Sequence, residues 1–264
     1  MIELPDAVFE PDGDTFVPSE IARGPWDPDA QHGGAPGALI ARGIEREPGP
    51  PMQVTRITLE LLRPVPLTPL RVATRIARPG KKVQLVEASM TTGDGTEVVR
   101  ALGLRIRRTE VDLGSSIVPD DRMSPRPEEL EPETFPFEAL GRLMFPLAMD
   151  ARPARGRFGA PGPCAMWFRL KLPIVAGEET SPLMRVAAAA DFGNGVSSVL
   201  DWDRYVFINP DLTISLHREP VGEWVGLDAV TYPERTGVGM AESGLYDELG
   251  RIGRATQSLL VDGG

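Results

Sequence analysis

Residues 31–45 read QHGGAPGALIARGIE. One of the chain's two histidines and a pair of glycines stand directly before an apolar run. The pattern predicts an α-helix over Gly33 to Arg46. Pro36 fits its first turn, where a missing N–H is harmless, and Leu39, Ile40 and Ile44 recur at helical spacing. EPGPP, residues 47–51, ends the helix. The next segments have a different period. VTRITLELLR (54–63) alternates through Ile57, Leu59 and Leu61, and LRVATRIAR (70–78) through Val72 and Ile76. PGKK makes a turn; VQLVEASMTT (83–92) and TEVVRALGLRIR (96–107) flank the tight turn GDG. A helix followed by an antiparallel meander is an α+β unit.

The pattern then breaks. Residues 111–136 are rich in proline and acid (PDDRMSPRPEELEPETFP) and read as a linker between domains at 1–110 and 137–264. Beyond it, CAMWFRLKL reads as a strand, and SPLMRVAAAADF as a helix with Ser181 as N-cap and Pro182 at its first position. LTISLHR, WVGLDAVTY, GMAESGLY and RIGRATQSLLV follow as strands. The halves match. RITLELLR (56–63) superimposes on DLTISLHR (211–218) at an offset of 155, which sets Ile57, Leu59 and Leu61 on Leu212, Ile214 and Leu216. The same offset sets the turn Asp94-Gly95 on Leu249-Gly250, and Arg78 falls near Arg235, each just before a glycine-containing turn. A tandem duplication of a unit of about 100 residues accounts for this; two ordinary amphipathic strands would also alternate in step.

Composition narrows the function. At 264 residues and 41% hydrophobic, the chain has material for a large core. Its net charge of −10 disfavours nucleic acid, whose phosphates need concentrated Lys and Arg. Residues 54–108 run the other way, with 11 basic and 4 acidic residues. A basic block on an acidic chain suits a small polyanionic ligand, or is simply a solvated face. The single cysteine, Cys164, allows no internal disulfide, as in a reducing compartment. With His32 and His217 as the only histidines, a structural metal site is not expected. MIELPDAVFEPDGD has no apolar signal core, and no run approaches the ~20 apolar residues of a membrane span. These features predict a soluble cytoplasmic protein with no membrane partner. There is no GxSxG elbow, no GxGxxG after a strand and no Walker sequence.

GPWDPDAQHGGAPGALIARGIE and ITLELLRPVP in the first half, with WFRLKLP, AAADFGNG and LTISLHR in the second, resemble the TesB-like double-hotdog acyl-CoA thioesterases. The likeness spans most of the chain outside the linker. It implies a tandem hotdog: two long helices, each wrapped by an antiparallel sheet. It also implies an acyl-CoA substrate and no cofactor. Such a chain can mimic a two-subunit hotdog alone, and two chains can pair again through sheet edges into a homodimer.

The resemblance further implies a catalytic Asp on the second helix, a Ser or Thr on the next strand and a Gln on the last. These fall on Asp191, Thr213 and Gln257. The family's strand motif starts DHS-like, whereas here it is Asp211-Leu212-Thr213, so its middle residue differs. In thioester hydrolysis Asp191 would take or steer a water proton, and Thr213 and Gln257 would hold that water. The unpaired N–H groups at the first helix's start, at Gly33 and Gly34, would receive the oxyanion, with His32 contacting the ligand beside them. Each residue has a plainer reading. Asp191 can end a helix, Thr213 and Gln257 can be ordinary strand positions, His32 can cap or pack, and the glycines can let helix and sheet approach. His217 aligns with Leu62 and reads as structural. Arg63, Arg78, Lys81, Lys82 and Arg235 are candidates for the anionic part of coenzyme A. A hotdog hydratase would pair an Asp with a His at the catalytic helix; Asp191 reads as having no nearby His, which argues against that chemistry. The competing class is a non-catalytic acyl-CoA or acyl-ligand binder that keeps the groove.

Overall fold

Alternating sequence becomes strands with one buried face. The computed structural model describes residues 3–112, 114 and 119–263. In chain order the first half contributes β1 (Phe9–Asp12), β2 (Thr15–Pro18), α1 (Gly34–Arg46), β3 (Met52–Leu61), β4 (Leu70–Arg78), β5 (Val83–Thr92) and β6 (Glu97–Arg107). The second contributes β7 (Met149–Arg155), β8 (Cys164–Leu170), α2 (Pro182–Ala190), α3 (Gly193–Val196), β9 (Tyr205–Ile208), β10 (Asp211–Leu216), β11 (Val225–Pro233), β12 (Val238–Asp247) and β13 (Gly250–Gly263).

The strands form one antiparallel sheet in the order β1-β2-β4-β5-β6-β3-β10-β13-β12-β11-β8-β7, with β9 also on β13. The order is the same read outward from the β3–β10 seam on either side. Each half supplies two strands, a helix and then four strands; β9 and α3 are extra in the second. The seam register is reciprocal. Thr58 faces Thr213, Ile57 faces Ile214 and Leu59 faces Leu212. With residues equivalenced at the offset of 155, each contact recurs with roles exchanged about the Thr58–Thr213 pair, as across a two-fold interface. Turns agree: Gly95 (φ +86) and Gly250 (φ +135) stand in the β5–β6 and β12–β13 turns, in backbone that an L side chain resists.

Both helices lie on one sheet face. Leu39, Ile40 and Ile44 of α1, Val186 and Ala187 of α2, and Ile57, Leu59, Leu212 and Ile214 of the seam share a single core. The helices run antiparallel against each other, and glycine sets their spacing. A Cβ on Gly34 would overlap the Ala188 carbonyl oxygen and sit 2.9 Å from the Phe145 ring. Ser181 caps α2 by accepting from the Met184 amide at 3.2 Å. The sequence predicts a helix running through Asp191 and Phe192, but α2 ends at Ala190 after nine residues, against thirteen in α1. Gly193 and Gly195 weaken its continuation, and Asp191 is drawn to partners on other elements.

The connector carries no strand or α-helix between 119 and 136. It is fastened to the second half nonetheless. Trp167 donates its indole N–H to Pro125 O at 3.0 Å, and Arg152 donates to Pro127 O at 2.8 Å. Met123 packs with Trp167, Trp224 and Tyr246. Among the described residues no helix is long and apolar enough to cross a membrane.

Candidate active site

The start of α1 and the end of α2 meet over the sheet, and this places His32 and Gly33 against Asp191. Asp191 Oδ2 lies 3.1 Å from His32 Nδ1, with only 7% and 11% of the two side chains exposed. Asp191 Oδ1 accepts from Asn209 Nδ2 at 2.9 Å and from Gln257 Nε2 at 3.3 Å. Gln257, on the buried face of β13, is oriented in turn: its Oε1 accepts the Asn194 amide N–H at 3.0 Å. A carboxylate so deep needs these donors, because burial without them would cost several kcal/mol, roughly.

The His32 ring stacks on Phe145 at 5.2 Å and packs against Phe192 at 4.4 Å. Burial pushes its pKa below the usual imidazole value, and the Asp191 charge opposes that only in part. The Gly34 amide also lies 3.1 Å from Nδ1. The ring nitrogen cannot both accept from Gly34 and donate to Asp191. The hydrogen bond at Nδ1 is the one it accepts from the Gly34 amide, and Asp191 Oδ2 approaches the same nitrogen as a close ionic contact.

Few donors remain at the start of α1. The Ala35 amide bonds to His32 O at 3.0 Å and Pro36 has no N–H. The Gly33 amide has no partner among the described residues. Gly33 must lack a side chain, since a Cβ would stand 2.8 Å from Asp191 Oδ2. An open amide at the positive end of a helix beside a carboxylate can receive a developing oxyanion.

These groups border a cavity of about 440 Å³. Its walls are largely apolar, including Trp26, Leu61, Val65, Phe137, Phe158 and Trp202. Trp26 and Trp202 stack at 4.7 Å, with Phe207 packed edge-on to both. Arg63 lines the same cavity; Arg78, Lys81, Lys82 and Arg235 do not.

The structure brings together His32, Gly33, Asp191 and Gln257, with Gly34 spacing the helices. It does not bring Thr213. Leu212, Ile214 and Leu216 face the core, so Thr213 projects from the opposite face, between Thr58 and Thr256. Asn209, four residues earlier, holds the Asp191 carboxylate instead. The sequence offered little sign of it beyond a polar residue ahead of a strand, in FINPD. Asp191 does have a histidine beside it, contrary to the sequence reading, because His32 reaches it from the other half of the chain. His217 is exposed at the end of β10, away from this site.

Residues 22–106 match the model of the acyl-CoA thioesterase N-terminal domain, and residues 124–261 that of the C-terminal domain. The chain belongs to the acyl-CoA thioesterase family. It thus carries both halves of a TesB-like thioesterase, in order and together covering most of its length. No curated protein matches it. Its fold is similar to that of a hot dog fold protein from Alicyclobacillus acidocaldarius, with TM-score 0.73, 16% identity and 97% of each chain covered. It is similar also to the tesB protein of Mycobacterium avium subsp. paratuberculosis, with TM-score 0.65, 15% identity and 96% of this chain and 95% of that one covered. An acyl-CoA thioesterase II from Mycobacterium marinum matches with TM-score 0.64 and 14% identity, over 93% of this thioesterase and 96% of the other.

Proposed function

We propose that the chain hydrolyses acyl-CoA thioesters by direct attack of water, with no covalent intermediate. In this reading it is two hotdog units, 1–110 and 137–264, joined by the 111–136 connector, with one working site where α1 begins and α2 ends. The acyl group lies in the apolar cavity, and Arg63 at its wall takes an anionic part of coenzyme A. The Gly33 amide receives the carbonyl oxygen, a type of donor worth ~3–4 kcal/mol in the transition state. Asp191, held by Gln257 and Asn209, supplies the negative charge that draws the water's proton. A thioester is reactive enough for water as nucleophile.

One observation carries the reading: a fixed carboxylate and an unbonded helix-start amide meet at the end of an apolar cavity. Release of free thiol from acyl-CoAs of graded chain length tests it, with Asp191→Ala and Gln257→Ala as comparison variants. Equal turnover by all three proteins would remove those residues from the mechanism. The second reading, a non-catalytic acyl-CoA binder, draws support from Asn209, an amide where the family resemblance leads one to expect a hydroxyl. An acyl-CoA that raises Tm yet is recovered intact would favour it.

A further inference from the structure

The cavity beside the carboxylate has a wall of flat rings. Phe, Trp and Tyr make up 6% of the chain, yet five of the cavity's 25 lining residues are Phe or Trp. Trp26 comes from the first half of the chain and Trp202 from the second, and their rings stack at 4.7 Å with planes 16° apart. Phe207, buried and off the cavity wall, packs edge-on to both. Phe158 stands 6.1 Å from Trp202. Each tryptophan rides on a loop tied down by an aspartate. Asp27 accepts the Asp29 amide at 2.9 Å beside Trp26, and Asp201 accepts the Asp203 amide at 2.9 Å beside Trp202. Trp26 is nevertheless 40% exposed. A large ring held still with part of its surface uncovered is a stacking platform.

We infer that the site selects a short acyl group carrying a flat aromatic ring, which stacks on the Trp26–Trp202 pair. This rests on the reading above that the acyl group occupies the cavity. Size supports it. At about 440 Å³ the space is near the small end of ligand sites, which run roughly 300–1,000 Å³. A long alkyl chain would have to continue between α1 and the sheet. There Leu39, Ile40 and Leu59 belong to the packed core, and none of the three lines the cavity. Chemistry supports it too. An alkyl chain takes only burial from an aromatic wall, whereas an aromatic ring also gains offset or edge-to-face stacking. The adenine of coenzyme A is the other flat ring in such a substrate, and thioesters of pantetheine, which lack it, separate the two.

The test uses the full chain with phenylacetyl-CoA and cyclohexylacetyl-CoA. The two share a carbon skeleton, and only the first has a flat, aromatic ring. The wild type should prefer phenylacetyl-CoA in kcat/KM by about 2–10-fold, the range of one aromatic pairing. Trp26→Leu and Trp202→Leu keep an apolar wall and should bring the ratio close to one. Both substrates meet the same protein, so any loss of folded enzyme cancels from the ratio. A wild-type ratio of one or less overturns the inference without any variant. So does a ratio that both variants leave unchanged. If the variants slow both CoA thioesters equally, and that loss is absent with the pantetheine thioesters, the rings hold adenine and the inference fails. Quenching of tryptophan fluorescence reads the same preference as a ratio of Kd values, without turnover. An aryl preference in Kd with no thiol release from either substrate would overturn the hydrolase reading and leave this inference standing; turnover with no preference would do the reverse.

Discussion

The two ends of the antiparallel helix pair are built from equivalent pieces and have opposite characters. Where α1 begins and α2 ends, a carboxylate meets an imidazole, an open amide and a cavity. Where α2 begins and α1 ends, Arg42 donates twice to Glu178, at 2.6 Å each, and Arg46 adds a third bond at 3.1 Å. Arg42 also lies 4.9 Å over the Phe16 ring. Charge at the second end is matched and consumed. At the first it is held by neutral amides and one buried imidazole, so it stays available. A duplicated unit has two candidate sites, and what separates them is which side chains satisfy the buried charge.

The sharpest way to break the comparison is Asp191→Ala. We expect kcat/KM to fall on the order of 10³-fold, with Tm little changed, because a desolvated charge is lost along with its bonds; thermal melts beside the thiol assay separate the two. Gly33→Ala should cost about 10²-fold, the scale of a small misplacement of reacting groups. Its backbone (φ −58) suits alanine, so a loss would come from the displaced carboxylate. Arg42→Ala should leave turnover within a factor of about two and lower unfolding free energy by roughly 2 kcal/mol in urea, less than a fully buried pair would lose. Arg42 holds the Glu178 carboxyl below its ordinary pKa of 4.5, against the opposing effect of burial. That contribution is therefore complete above about pH 4.5 and disappears as pH falls through the lowered folded value. Wild-type stability should converge on that of the variant in acid; a gap that never narrows as the pH is lowered would show that the charge of the pair contributes nothing. The smallest effect belongs to Thr213→Ala, which should change kcat/KM less than about twofold, while Asn209→Ala loses about tenfold or more. The reverse ranking would return Thr213 to the site.

Much of this was legible along the chain. Strands β4 and β5 fall where alternation puts them, at 70–78 and 83–92. The offset of 155 between RITLELLR and DLTISLHR reappears at the centre of the β3–β10 seam, where Thr58 faces Thr213. Strand β1 was not legible, because four residues with three exposed carry no period. Strand β9 was hidden similarly, since only Phe207 of its four residues is buried. At the site, Gln257 donates to the Asp191 carboxylate while Thr213 projects from the opposite strand face, since a residue type on a strand does not reveal which way a neighbouring loop folds back.

The sequence by itself determined the repeated helix-and-meander unit, the apolar core faces and the residue types of an acyl-CoA thioesterase. Periodicity and turn chemistry are local, and they survive being read one residue at a time. Only the tertiary structure decided that His32 and Asp191, 159 positions apart in sequence, lie 3.1 Å apart, that Asn209 rather than Thr213 reaches the Asp191 carboxylate, and that one helix end is open while the other is locked by arginines. Those outcomes depend on how closely two helices pack across a glycine and on which donors reach a buried carboxylate, and distances of that kind exist only once the chain has closed on itself.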